Sequence, residues 1–118
     1  MYRFIDPEMV NSRIEEWGGQ EMLLEIISML DNDFNLKTKS LLPAAVNLDF
    51  TTVEEIVHPL KSNLLLFVNE SSEYGKLIKD LLAKSRNHES FRIKEDCEVF
   101  VTSGLKTLEE LAEFTSEF

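Results

Sequence analysis

The sequence predicts an all-α fold: an antiparallel, up-and-down bundle of four helices with an additional short helix at the N-terminus. Three observations carry this. Apolar residues recur at the spacing of a helix face along most of the chain. No stretch alternates apolar and polar residues long enough to read as a strand. Only four glycines and three prolines interrupt 118 residues.

The first helix starts at Asp6-Pro7, an N-cap oxygen followed by a proline at the first helical position, and Gly18-Gly19 stops it, giving a short segment over about 6–17. The second begins near Gln20 and places Leu23, Ile27, Leu30, Phe34, Leu41 and Ala45 on one face, with Lys37 the exception. Pro43, late in this run, is expected to bend or end it. After the turn Asn47-Leu48-Asp49, a third helix starts at Thr51 or Thr52. It carries Glu54 and Glu55 where the helix dipole favours carboxylates, and it reaches about Val68. Asn69-Glu70-Ser71-Ser72 separates it from a fourth helix, Glu73 to Arg86, with the stripe Leu77, Ile78, Leu81 and Leu82. The loop Asn87-His88-Glu89-Ser90 leads into a fifth, about Phe91 to Phe114, built on Ile93, Val99, Phe100, Leu105, Leu108 and Leu111. Gly104 is expected to loosen its middle, at a cost of about 1 kcal/mol relative to alanine. With no repeat, low-complexity tract or linker, residues 1–118 read as one domain.

Composition narrows the function. Apolar residues at 43% and charged residues at 29% are ordinary for a globular domain. A net charge of -10 repels nucleic-acid phosphate and anionic lipid, so nucleic acid and membrane are not expected partners. It suits a partner with a basic contact face. Cys97 is the only cysteine, and no Cys/His cluster has metal-ligand spacing, so it reads as a buried, inert thiol. The start MYRFIDPEMV lacks the basic end and apolar run of a signal peptide, and Leu64-Leu65-Leu66-Phe67-Val68 is far short of the roughly 20 residues that span a bilayer. A cytoplasmic protein and a monomer are expected; a start at Met1 suggests a stand-alone chain, and a domain excised from a larger sensor would look the same.

The third helix carries the chemistry. At 100° per residue, Val53, Ile56, Val57, Leu60, Leu64, Phe67 and Val68 gather on a core-facing side. Thr51, Glu54, Glu55, His58, Lys61, Ser62, Leu65 and Asn69 gather on the other. His58 therefore points away from the core, mid-helix. Neutral imidazole is a nucleophile, and an ordinary pKa of about 6.5 leaves much of it neutral at cellular pH. Lys61, at i+3, reaches over the same patch and balances the charge of a transferring phosphoryl group. Ser62 is small enough to let another protein's backbone approach the ring. Leu65 offers an outward apolar contact, and Glu54 and Glu55 complete the candidate docking face. Each feature is ordinary alone; exposed histidines are mostly plain polar surface.

The stretch Asp49-Phe50-Thr51-Thr52-Val53-Glu54-Glu55-Ile56-Val57-His58-Pro59-Leu60-Lys61-Ser62 resembles the histidine-phosphotransfer (HPt) family, whose pattern is an Asp and an aromatic, then a helix reaching His-x-Leu-Lys-Gly. Asp49, Phe50, His58, Leu60 and Lys61 fall in register, and the helix order extends the similarity from about Leu23 to Phe114. The resemblance implies that His58 takes a phosphoryl group from an aspartate of one receiver domain and passes it to another, as a phosphohistidine carrier in a two-component phosphorelay. Its partners would be the receiver domains of response regulators and hybrid sensor kinases, with Lys61 assisting electrostatically. No cofactor is implied, since the Mg²⁺ and catalytic acids would belong to the receiver. With no glycine-rich phosphate loop, autokinase activity is not expected.

Three positions depart from the pattern. Ser62 replaces the glycine after the lysine, and Val68 replaces a second glycine some ten residues beyond the histidine. Pro59 follows His58 inside the helix, where it removes a backbone hydrogen bond and predicts a bend beneath the ring, at a cost of about 3 kcal/mol if unrelieved. These departures favour a second reading, an HPt-like module that binds and inhibits a kinase or receiver without transfer. An unrelated helical adaptor is a third. His88, in a polar loop with no lysine at i+3, reads as surface. Trp17 packs the first helix onto the bundle or borders the docking face. Glu109-Glu110 reads as a solvated helix face, like Glu15-Glu16, with no carboxylate pair placed for hydrolysis.

Overall fold

Among the described residues, side-chain caps start three of the six α-helices, those that follow Asp6, Asp49 and Ser72. The computed structural model of the chain describes residues 2–118, and among these there is no strand. Helix α1 spans Pro7–Glu16, with the Asp6 side chain accepting the Glu8 N–H at 3.0 Å. It ends where Gly18 and Gly19 take φ of +77° and +146°, a region open to glycine, and Gly19 N–H closes back on the Ile14 carbonyl.

The expected single helix from Gln20 to Ala45 is two. Helix α2 spans Gln20–Lys37, a 3₁₀ turn covers Thr38–Ser40, and α3 spans Leu41–Val46. The break lies upstream of Pro43 because proline has no N–H to offer the carbonyl four residues back. By restarting at Leu41, the chain places Pro43 in a first turn, where N–H groups have no intrahelical acceptor in any case.

Helix α4 spans Phe50–Leu64, starting before Thr51. Its cap is Asp49, whose carboxylate accepts the Thr52 N–H at 3.2 Å and the Thr52 hydroxyl at 2.6 Å. These bonds hold the Asp49 carboxyl below the usual carboxylate range. The helix stops short of Val68: the N–H groups of Phe67 and Val68 both turn back on the Leu64 carbonyl. It runs without interruption through Pro59. Helix α5, Glu73–Arg86, is capped by Ser72, which accepts the Gly75 N–H at 3.0 Å. Helix α6, Ile93–Thr115, follows Arg92, a non-glycine residue at φ +56°.

Helices α2, α4, α5 and α6 close a ring of contacts, each packing on the next, with α3 set against α4 and α6. The residues expected to face inward all do so: Val53, Ile56, Val57, Leu60 and Leu64 of α4, and Phe67 and Val68 in the turn that follows it, are buried. In α6, Val99 and Leu105 lie outside the core, 47% and 40% exposed, because they flank the stripe Ile93, Cys97, Phe100, Gly104 and Leu111. Gly104 does not loosen its helix. A Cβ there would run into the Phe34 ring and the Tyr74 hydroxyl, so glycine is what lets α6 approach α2. Burial, with the Asp96 charge adding to it, pushes the Cys97 thiol up to about 12, which fits an inert thiol.

Ahead of α1, the segment Tyr2 to Asp6, bent at Arg3 to Ile5, lies across the helices. The Glu110 carboxylate accepts the N–H groups of Arg3, Phe4 and Ile5 at 2.9, 2.8 and 3.0 Å, so this residue is a clasp rather than a solvated face. Asp6 N–H donates to the Phe67 carbonyl at 2.8 Å, and Trp17 stands edge-on to Phe67, joining α1 to the core. Among the described residues, no helix is long and apolar enough to cross a membrane.

Candidate functional site

Helix α4 splits into an apolar and a polar side, and that split puts His58 at the surface: with Val57 and Leu60 locked inside, the ring between them must be exposed. The α4 face it occupies borders α5. There the C-terminal end of α5 lies alongside the N-terminal half of α4, and Arg86 bridges the two. Its Nε donates to Glu54 Oε2 at 2.9 Å, and its Nη2 stands 3.2 Å from His58 Nδ1.

The chemistry of the partners fixes the sense of the second contact. Guanidinium has no lone pair and only donates, so Nδ1 accepts and the neutral ring carries its proton on Nε2. Nε2 has no hydrogen-bond partner among the described residues. The outer nitrogen is open, and the inner one is latched by a cation that a carboxylate orients.

A second aromatic pair lies toward the start of α4. Phe50 stacks on His88 with centroids 5.1 Å apart and planes only 8° apart. His88 is exposed, as expected of surface, but its backbone is in the left-handed region at φ +55° and its ring covers Phe50. Leu48, just before the Asp49 cap, has φ +54°. The turns that enter α4 and leave α5 are thus both tightly wound.

The remaining expected residues are placed unevenly. Lys61 is half-buried, one turn beyond His58 on the same side, with no ion pair or hydrogen bond among the described residues. Ser62 is exposed, its hydroxyl 3.5 Å from the His58 carbonyl, at the outer limit of a hydrogen bond. Glu55 is exposed and stands apart from the Glu54–Arg86–His58 chain. Leu65 caps the C-terminus of α4 and packs partly against the core, so it offers less outward surface than a helix continuing to Val68 would give it. Pro59 has no N–H for the Glu55 carbonyl, yet α4 stays helical on both sides of it.

Arg86 was not among the residues singled out from sequence. Periodicity assigns faces within one helix but says nothing about which end of a neighbour meets them. The usable signal is the short connection between α4 and α5, which folds the end of one back on the start of the other. The resulting constellation is an exposed imidazole whose open nitrogen, Nε2, carries the proton while Arg86 holds Nδ1, with a guanidinium in contact with the ring and an ammonium one turn away. That is a surface able to take up a small anionic electrophile and balance its charge. No cluster of metal-ligating side chains occurs among the described residues. Compared with protein-family models, with curated proteins and with solved structures, the chain matches none.

Proposed function

We propose that the protein is a histidine phosphotransfer module, an up-and-down four-helix bundle whose His58 relays a phosphoryl group between receiver-domain aspartates. The observation that carries this reading is the exposed His58 with its Nε2 unpartnered and two cationic side chains, Arg86 and Lys61, on its side of the helix. In the transfer step, Nε2 forms a bond to phosphorus as the acyl-phosphate P–O bond breaks and the aspartate leaves as a carboxylate. Attack needs a lone pair on Nε2, hence the ring proton on Nδ1. Arg86 must therefore leave Nδ1 as the phosphoryl group arrives, and its guanidinium is then free to pair with the phosphoryl oxygens. Mg²⁺ and the acidic residues that hold it would sit on the receiver. The acidic surface suits a basic docking face there.

A second reading has its own support: Arg86 occupies Nδ1, and Lys61 is half-buried. On that reading the surface binds a receiver or kinase and inhibits it, without chemistry at His58. Incubation with a phosphorylated receiver domain and Mg²⁺ separates the two. Acid-labile label on the wild type that is absent from His58→Gln supports the relay. Tight receiver binding with no label on His58 overturns it in favour of the inhibitory module.

A further inference from the structure

On the edge of the helix ring opposite His58, where α6 meets α2, the surface opens into a groove of about 550 Å³. Leu24, Ile27, Leu105, Leu108 and Ala112 supply its apolar lining, and Asp31 and Glu109 stand on its two sides. Leu24 and Leu105 are 43% and 40% exposed. The start of α2 lies beside the end of α6, and Phe34 beside Gly104, so these two large aliphatic side chains face solvent at opposite ends of the groove. The Asp31 carboxylate is held in place by Asn35, whose side-chain amide donates to Asp31 Oδ1 at 3.1 Å and to its carbonyl at 2.8 Å. Neither Asp31 nor Glu109 forms an ion pair among the described residues.

We propose that this groove docks a cationic amphipathic helix of another protein. The shape argues for a helix. The lining runs from Leu24 to Asn35 on α2 and from Leu105 to Thr115 on α6, about 16 Å at 1.5 Å per residue, or roughly three turns of a partner. A helix with apolar residues at i, i+3 or i+4, and i+7 presents a ridge of that length. The charge argues for lysine or arginine beside the ridge. Two carboxylates without cationic partners border the groove, and the whole chain carries -10. A second copy of this chain seated groove to groove does not fit, because it would bring the same carboxylates face to face. The inference is independent of phosphotransfer, since no residue of the groove belongs to the His58 surface.

The test is a titration, read by fluorescence anisotropy, with a labelled helical peptide of leucine and lysine whose leucines follow that spacing. A peptide with the leucines replaced by serine reports charge alone, and one with glutamine in place of lysine reports apolar contact alone. The leucine–lysine peptide is expected to bind the wild type best. Leu105→Glu and Glu109→Lys should each weaken it at least about tenfold. Leu36→Glu, at a residue 67% exposed outside the groove, should leave it unchanged. Leu105→Glu is the sharper arm: it makes the protein more acidic, so purely electrostatic binding would tighten. Circular dichroism checks that each variant keeps its helices. Equal binding by Leu105→Glu and Leu36→Glu, equal binding by the serine–lysine peptide, or a dimer of the wild type abolished by Leu105→Glu would each overturn the proposal.

Discussion

At the scale of single residues, Arg86 separates what the ring of His58 does at rest from what it does in reaction. Its guanidinium fixes the tautomer through Nδ1, while Glu54 fixes the guanidinium. In Arg86→Ala the neutral imidazole should change from one dominant form, protonated on Nε2, to a mixture. Nitrogen chemical shifts of the ring, followed by NMR above its titration, would report this; an unchanged tautomer would mean that the latch does not exist in solution. The same substitution should alter stability by no more than about 1 kcal/mol, because both partners of Arg86 are substantially exposed. His58 itself was legible in the sequence, since its position opposite the buried residues of α4 follows from periodicity alone. So was Asp49 as a turn residue, although the sequence places the start of α4 at Thr51 or Thr52 rather than directly after Asp49, which caps it through Thr52. Arg86 was not legible, because its contact depends on how two helices are set side by side.

At the scale of helices, what local propensity assigns to Gly104 reverses. Taken alone, glycine inside a helix weakens it, and alanine would add about 1 kcal/mol of stability. Against Phe34 and Tyr74, alanine has nowhere to put its methyl group, so Gly104→Ala should destabilise the protein by about 1–3 kcal/mol in urea unfolding. A stabilised variant would mean that α2 and α6 are less closely packed than described. The α5–α6 pair is tied by Lys84, whose ammonium donates to Asp96 at 2.6 Å with both side chains 14% exposed. The hydrogen bond to Asp96 raises the Lys84 pKa, with the Asp96 and Asp80 charges adding to it and desolvation opposing. Its folded value thus lies above the unfolded one. The pair's contribution is complete below the unfolded lysine pKa of about 10.4 and is lost as pH rises through the folded value. Thermal unfolding scanned upward from pH 9 should therefore show a loss of stability that Asp96→Asn largely removes. The displaced break before Pro43 belongs at this scale too: the proline signalled an interruption, but the chain accommodates it by restarting a helix rather than bending one.

At the scale of the whole molecule, the ring of helices was expected from the number and length of apolar stripes, while the strap across it was not. Nothing in Tyr2 to Ile5 marks those residues as ordered, and a glutamate beside another glutamate looks solvated until three successive amide groups are found aimed at it. Replacing Glu110 with alanine should destabilise the fold by about 1–3 kcal/mol and sharply accelerate hydrogen exchange at Arg3, Phe4 and Ile5, leaving exchange in α4 and α5 comparatively protected. Uniform loss of protection would mean that the strap is integral to the core. The clasp also orders events in time. Its hydrogen bonds join residues 105 to 107 apart in sequence, whereas α4 and α5 meet across a short turn. Closing so large a loop is entropically unfavourable until the helices have already brought its ends together. Contact distance along the chain therefore predicts that the strap docks last and peels away first, a seal whose removal should leave the helical assembly standing.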